Sequence, residues 1–390
     1  MDFTLSPDIE ALRQRVQQFI DEVVIPRESE DLWTQPERLD EIRRELQAQA
    51  KATGLYLPHL PTALGGLGLN WRDTAVVFEE AGRSLLGPRA LNAAAPDDGN
   101  MRTLAHWGTP AQHRRWLTPL LAGDIRSCFA MTEPAPGAGS DPSALLTVAS
   151  KVPGGWRING RKWFITGAEG AAVAIVLART QNGATMFLVD TKNPGFRLGR
   201  AMKTIDSFSV GGHSELAFVD CEVADDDVLG EVDRGFHHAQ YRLAPARVTH
   251  CMRFLGAAVR AVEIAQRYVT QRHSFGRLLS DHQAVQTQLA DCHIEIRAAR
   301  LMVAHTAWEL DHLEPTAVKH GSSMTKVFVS ETVHRVIDRC VQLCGGWGTT
   351  DESMLAHLYA DVRPFRIYDG PSEVHRSSIA KRVLHRSMRP

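Results

Sequence analysis

The sequence predicts a mostly helical α+β fold: an N-terminal helical block, a central antiparallel β-barrel and a C-terminal four-helix bundle. Three observations carry this expectation. Apolar residues recur at helical spacing from residue 6 to about 125. That period vanishes between about 126 and 230, where short β-rich runs alternate with Gly, Pro and Asn. It returns after Gly235 in long stripes, the clearest being Val285, Leu289, Cys292, Ile296, Ala299, Val303, Thr306 and Leu310. The expected domains are residues 1–125, 126–235 and 236–390.

In the first block, Ser6-Pro7-Asp8 supplies an N-cap, a proline at the first helical position and an acidic first turn. Ile9, Leu12, Val16, Phe19, Ile20 and Val23 then form one apolar face, and Pro26 ends the helix. A second amphipathic run covers Arg38 to Ala52 and stops at Gly54. Gly65-Gly-Leu-Gly-Leu69 lacks a preceding strand and the G-x-G-x-x-G spacing, so it reads as a tight connection rather than a nucleotide loop. Further helices are expected at about Trp71–Ser84, Gly99–Trp107 and Ala111–Leu121. In the middle block, strands are expected at Leu146–Ser150, Trp156–Asn159, Lys162–Thr166, Val173–Ala178, Met186–Asp190 and Leu216–Val219. Closely spaced strands without intervening helices argue for an antiparallel sheet or barrel, not for βαβ units. In the last block, the stripe from Val285 makes a helix roughly 40 Å long at 1.5 Å per residue. Similar runs cover about 249–271, 322–343 and 372–385.

The 390 residues are 44% hydrophobic and 23% charged, with a formal net charge of −1, which disfavours a nucleic-acid binder. Lys381, Arg382, Arg386 and Arg389 read as a solvated helix end. Six dispersed cysteines, with no C-x-x-C pair, read as buried free thiols in a reducing compartment. The first residues lack a secretory signal and no apolar run is long enough for a bilayer, so a cytoplasmic protein is expected. The 17 histidines form no H-E-x-x-H, and no metal pattern, Walker loop or G-x-S-x-G is present.

Four stretches carry possible chemistry. Cys128–Asp141 joins a Thr hydroxyl to a glycine-rich loop that offers backbone N–H groups to an anion or a flat polar ring, or serves as a linker. In Asn159–Gly167, Trp163 and Phe164 should face opposite sides of a strand, so one can cover a ligand. Gln271–Arg277, followed by Asp281-His-Gln283, places an Arg beside a helix end, suited to a phosphate or to a surface Arg–Asp pair. Finally, Asp369 precedes Gly370-Pro371 at the mouth of a helix, as a helix cap or as a base aimed into a cleft.

Together these motifs resemble the acyl-CoA dehydrogenase flavoproteins along essentially the whole chain. Met131-Thr-Glu-Pro134 with Gly137–Asp141 is similar to that family's first signature, and Lys162–Gly167 to its flavin-covering strand. Arg272-x-x-Phe-Gly276 with His282-Gln283, and Gln342-Leu-Cys-Gly-Gly346, resemble the segments that reach an FAD held mainly by a neighbouring subunit. Pro245–Arg253 and Asp369–His375 resemble the branch whose dehydrogenase domain is sometimes fused to a phosphotransferase-like kinase domain. The resemblance implies the acyl-CoA dehydrogenase fold, a homodimer or homotetramer, and an electron-transfer flavoprotein as acceptor. For FAD it implies contacts at Met131, Thr132, Phe164, Thr166, Arg272, Phe275, His282, Gln283, Gln342, Gly345, Gly346, Ser372 and Glu373. For the acyl-CoA it implies Ser140, Arg247 and Gly370.

The resemblance also implies a reaction. Asp369 would take the α-proton while flavin N5 takes the β-hydride, giving a trans-2-enoyl-CoA, and the Asp369 N–H would help hold the enolate oxygen. Apolar surroundings are expected to raise its pKa. The alternative base position known in the family is Ala246 here, which cannot act. Several residues depart from the family's habit: the base is Asp rather than Glu, an extra Ala-Pro follows Pro134, Gly167 stands where Asn is common, and Pro371 replaces a frequent Thr. An oxidase of the same fold, similar to those that act on nitroalkanes, also uses an Asp base and is the alternative reading. Non-catalytic DNA binding, known in some relatives, is disfavoured by the neutral charge and the retained carboxylate.

Overall fold

The computed structural model describes residues 4–28, 36–206 and 210–387; Arg389 of the C-terminal basic cluster lies outside them. Helix α1 (Pro7–Phe19) starts where local chemistry dictates, with Ser6 Oγ accepting the Ile9 N–H at 3.3 Å. It widens into a π-helical turn, Ile20–Val24, and then tightens into a 3-10 turn, Ile25–Arg27, around Pro26. Helices α2 (Pro36–Ala52), α3 (Trp71–Ala81) and α4 (Asp97–Trp107) follow. Two groups cap the start of α3: Asn70 Oδ1 accepts Asp73 N–H at 2.7 Å, and the Asp311 carboxylate accepts the Trp71 and Arg72 N–H groups at 2.7 and 3.1 Å. The helix expected at Ala111–Leu121 is interrupted instead. It runs as Pro110–Gln112, a π-helical turn at His113–Leu117, and Thr118–Ala122.

The middle block forms one eight-stranded sheet. Its strands are β1 (Ser127–Ala130), β2 (Val148–Val152), β3 (Gly155–Thr166), β4 (Val173–Arg179), β5 (Ala184–Asp190), β6 (Phe196–Ala201), β7 (His213–Ala224) and β8 (Val228–Leu229). The expected closed antiparallel barrel does not form. The order is β6-β7-β3-β2-β4-β5-β8, with β1 also on β4, and both β1 and β2 pair parallel to β4. Strand spacing reports that strands exist, whereas pairing is set by contacts distant in sequence, which spacing does not encode. β4 is buried on both faces, which is why it reads as a continuous apolar run. Val173, Ile175 and Leu177 join the large core shared with the helices, while Ala174, Val176 and Ala178 join a second core on the other face.

The expectation that Trp163 and Phe164 face opposite sides also fails. The β3–β7 register shifts between Lys162 and Ile165, and Phe164 has φ +52°. This kink brings the two ring centroids to 4.9 Å and leaves Phe164 46% exposed.

The last block contains α5 (Gly235–Val269), α6 (Gln283–His312), α7 (Pro315–Cys344), α8 (Met354–Val362) and α9 (Ser372–Ser387). α5 begins some turns earlier than the apolar stripe suggested and carries Pro245 inside it. α8 was not anticipated. α5, α6 and α7 pack on one another and α9 packs on α7. All six cysteines are buried and free. Among the described residues no helix is long and apolar enough to cross a membrane.

α5 also docks on the N-terminal block through α3, and two glycines allow the approach. A Cβ at Gly256 would stand 2.0 Å from the Glu79 carbonyl oxygen, and one at Gly82 would stand 1.9 Å from that of Arg253. Gly256→Val should therefore cost about 3 kcal/mol, read as a lower urea midpoint at unchanged slope. Gly139→Ala, where a Cβ meets nothing within 4 Å, should stay near wild type. Equal midpoints for the two variants would show that the close crossing is not needed.

Candidate active site

The turn between α8 and α9 brings together groups from four helices. Asp369 stands in left-handed backbone, φ +52°, and Gly370 follows at φ +97°. For a non-glycine residue this conformation is disfavoured and persists only when its surroundings fix it. They do so through the carbonyls. Arg247 Nε of α5 donates to the Asp369 carbonyl at 3.0 Å, and His375 Nε2 of α9 donates to the same oxygen at 3.1 Å. Lys326 Nζ of α7 donates to the Gly370 carbonyl at 2.8 Å. The Asp369 N–H, by contrast, makes no hydrogen bond among the described residues.

The clamp groups are poised differently. Burial pulls the His375 imidazole down to about 4, so it is neutral at pH 7. Its Nε2–H goes to the Asp369 carbonyl, and its Nδ1 lies 3.0 Å from Ser323 Oγ, which donates to it. Burial also brings Lys326 down to about 8, still mostly charged at neutral pH.

The Asp369 side chain is 17% exposed, and its Oδ2 lies 3.3 Å from His250 Nε2. Burial alone would raise this carboxyl. The His250 hydrogen bond and the guanidinium charges of Arg242 and Arg247 reverse the sign and hold it well below the ordinary carboxylate range. The sequence-based expectation of a raised value is thus overturned. It assumed apolar surroundings, whereas in space the cations and imidazole of α5 dominate. The same neighbourhood keeps the Tyr368 hydroxyl protonated, because burial and the nearby Asp361 and Asp369 push its pKa well up. Burial lifts Asp361 to about 6 against the pull of Arg89, with Asp206 adding to the rise.

On the sheet side, β3 supports the loop that follows β1. Lys162 Nζ donates to the Met131 carbonyl, and Trp163 N–H to the Thr132 carbonyl, at 2.9 and 3.0 Å. Glu133 knots this loop: its carboxylate accepts N–H groups of Ala138, Leu146 and Thr147 at 3.1, 2.7 and 2.8 Å, and Lys162 Nζ at 2.9 Å. Met131, Thr132, Phe164 and Thr166 are thereby gathered on one region. Thr166 Oγ1 lies 3.0 Å from His213 Nδ1, and His213 Nε2 lies 3.1 Å from Asp206 Oδ2. Ser140 is exposed on the loop beyond Glu133.

A second group sits where α7 ends. Trp347, next to Gly345 and Gly346, stacks on Tyr268 with ring centroids 5.4 Å apart. This sets the glycine turn beside the segment that carries Arg272 and the ribbon of β9 (His273–Ser274) and β10 (Arg277–Leu278). Phe275 tips the ribbon, 95% exposed. His282 ties it to α6 by donating to the Ser274 carbonyl at 3.2 Å. Arg272, Gln283, Gln342 and Glu373 are exposed, whereas Ser372 is buried.

These residues fit FAD. Phe164 and Phe275 present bare aromatic faces, suited to covering a flat ring or base. A Cβ at Gly345 or Gly346 would meet nothing within 4 Å, so the backbone there is open to close approach. Arg272 offers a forked donor suited to a pyrophosphate.

Sequence reasoning missed His250, His375, Lys326, Glu133 and the His213–Asp206 pair. Only His250 left a local signal. It lies three residues after Arg247 and four after Ala246, hence on the same face of α5.

Comparisons with known proteins agree along the chain. Residues 6–124, 128–221 and 233–384 match the acyl-CoA dehydrogenase N-terminal, middle and C-terminal domains, respectively. The chain is 38% identical over 392 residues to acyl-CoA dehydrogenase family member 11 of Gallus gallus, covering 94% of this chain but 49% of that protein. It thus spans about half the length of that curated relative. Among solved structures, butyryl-CoA dehydrogenase from Megasphaera elsdenii superposes with a TM-score of 0.86 at 27% identity, covering 98% of this chain and 100% of the other. A glutaryl-CoA dehydrogenase from Mycobacterium smegmatis in complex with FADH2 superposes with a TM-score of 0.86 at 26% identity, covering 98% and 95%.

The Glu133 knot supplies a test. Burial would raise its carboxyl, but hydrogen bonding at Thr147 and the Lys162 charge bring it down to about 2, against 4.5 ordinarily. A depressed carboxyl contributes stability that is complete above its unfolded value and is lost as pH falls through its folded one. Glu133→Gln should cost about 3 kcal/mol at pH 7, and the gap to wild type in urea unfolding should close between pH 4.5 and 2. A gap that stays constant over that window would contradict the assignment.

Proposed function

The chain belongs to the acyl-CoA dehydrogenase family, and from that premise we propose that it oxidises an acyl-CoA thioester to the trans-2-enoyl-CoA, with Asp369 as the α-proton base. Its cofactor is FAD. The observation that carries the reading is the clamped turn. The Asp369 carbonyl is fixed by Arg247 and His375, its N–H has no partner among the described residues, and its carboxylate is held ionised.

Bound FAD supplies the acceptor for the β-hydride. The chain's own residues handle the proton and the charge. As the α-C–H bond breaks, the proton passes to an Asp369 oxygen and the electron pair moves into the forming double bond. Negative charge builds on the thioester oxygen, and the free Asp369 N–H is a preorganised donor for it. Fixing the adjacent carbonyl from two sides keeps that N–H aimed, so little reorganisation is needed. Ala246 puts no carboxylate at the alternative base position on α5.

On the sheet side, Thr132, Phe164 and Thr166 hold the isoalloxazine in this reading. Arg272, Phe275, His282, Gln283, Gln342, Gly345 and Gly346 reach the FAD of a neighbouring subunit in a homodimer or homotetramer. Ser140, Arg247 and Gly370 meet the acyl-CoA, and an electron-transfer flavoprotein is the electron acceptor.

Asp369→Asn should retain FAD and lose anaerobic bleaching of the flavin by acyl-CoA. The rate should fall by about 10²- to 10⁴-fold, the usual range for a positioned base. Stopped-flow absorbance across acyl-CoAs of varied length and branching measures this and identifies the substrate. Undiminished bleaching in the variant would remove Asp369 from the role, and rapid peroxide formation by wild type in air would point to an oxidase.

A further inference from the structure

His250 has no role in the reaction as described, yet its ring is fixed on every side. It packs on Phe254, Phe365 and Tyr368, with ring centroids 6.2, 5.8 and 5.0 Å away, and its side chain is 12% exposed. Its Nδ1 lies 3.1 Å from Arg253 Nη2. A guanidinium can only donate, so Nδ1 must be the acceptor and the proton of a neutral imidazole must sit on Nε2. That Nε2 stands 3.3 Å from Asp369 Oδ2.

Arg253 is itself anchored. Its Nη1 donates to the Ala93 carbonyl at 2.7 Å and reaches Asp98 Oδ2 at 3.3 Å. Asp98, on α4, also accepts from Thr249 Oγ1 at 3.1 Å and lies 3.2 Å from both His59 Nε2 and Arg102 Nε. The line Asp98–Arg253–His250–Asp369 therefore runs from the N-terminal helices into the reacting turn.

We propose that His250 is the positioning residue of Asp369: it holds one carboxylate oxygen, Oδ2, through a tautomer imposed by Arg253, and leaves the other oxygen free to receive the proton. The inference rests on the reading of Asp369 as base. It also gives the shorter Asp side chain a fixed partner, since the acid reaches the imidazole directly from its turn.

The groups facing Asp369 are Arg242, Arg247, His250 and Cys251 from α5, Lys326 from α7, Tyr368 on its own turn, and His375 from α9. Those facing His250 are Arg253, Asp98 and Asp369. Burial and the Arg253 charge push the His250 imidazole down, which keeps it a neutral donor at working pH. A depressed acid stays ionised above its own pKa, so removing the donor moves the acid limb of activity upward. A hydrogen bond to a charged group is worth enough to shift it by about one to two pH units.

The test uses the FAD-loaded protein and the pH dependence of kcat/KM and of anaerobic bleaching by acyl-CoA. In wild type, Asp369 should set no acid limb above about pH 4, its carboxyl lying below the model-compound range. His250→Leu, and His250→Met should Leu impair folding, should slow anaerobic bleaching at pH 7 by about 10- to 100-fold, the worth of a hydrogen bond to a charged group, with KM and FAD content little changed. His250→Gln, which has an N–H donor at the reach of Nε2, should restore most of the wild-type rate. A bleaching rate in Leu or Met equal to wild type, or a Gln variant no better than Leu, overturns the proposal. Asp369→Asn, measured alongside, separates the two claims: bleaching that persists in it defeats the base reading itself, whatever His250 does.

Discussion

The left-handed turn at Asp369 is the constraint on which the site depends. A non-glycine residue at φ +52° is held there against its own preference, and here the holding groups act on carbonyl oxygens. Arg247, His375 and Lys326 come from three helices and converge on two consecutive peptide oxygens. With the carbonyls bound, the Asp369 N–H makes no hydrogen bond among the described residues, which is what the proposed reaction needs. The turn thus depends on the packing of α5, α7 and α9, and the bare backbone contact at Gly82 and Gly256 fixes α5 in turn.

Electrostatics follows from the same geometry. Desolvation opposes an ionised Asp369, but Arg242, Arg247 and His250 of α5 together outweigh it. The result is a strongly ionised carboxylate in an enclosed turn, rather than a carboxyl raised by apolar neighbours. On the proposed reading, a base with so low a pKa is intrinsically weak, and its efficiency would come from orientation and from the donor aimed at the developing oxyanion. The buried charges on the sheet side follow the same pattern: Glu133 and Lys162 are acceptable in the interior because each is satisfied by the other and by backbone groups.

What the sequence made legible was local. The Ser6-Pro7 helix start and the stop at Pro26 depend on neighbours a few residues away, and so does the continuous apolar run of β4. Pairing was not legible: β2 and β4 touch in parallel although β3 lies between them in sequence, so closure into a barrel could not be judged from spacing. Phe164 kinks β3 without a glycine to mark the place, and strict alternation misjudged it. In the site, Asp369, Gly370 and Arg247 were singled out by motif and meet in space. Lys326 and His375 carry no local mark and are found only once α7 and α9 are placed. The sign of the Asp369 shift was misjudged for the same reason, because its field comes from α5, more than a hundred positions upstream.

Proton removal by Asp369 is tested most directly at the α-carbon itself. A 3-thia-acyl-CoA has no β-C–H to give up, so in D2O, under anaerobic conditions, the FAD-loaded protein can do no more than exchange its α-hydrogen, which mass spectrometry counts. Wild type should incorporate deuterium, and Asp369→Ala should not exceed the protein-free background. Exchange by the variant at the wild-type rate would mean that another group, or water, removes the proton, and that the clamped turn serves some other purpose.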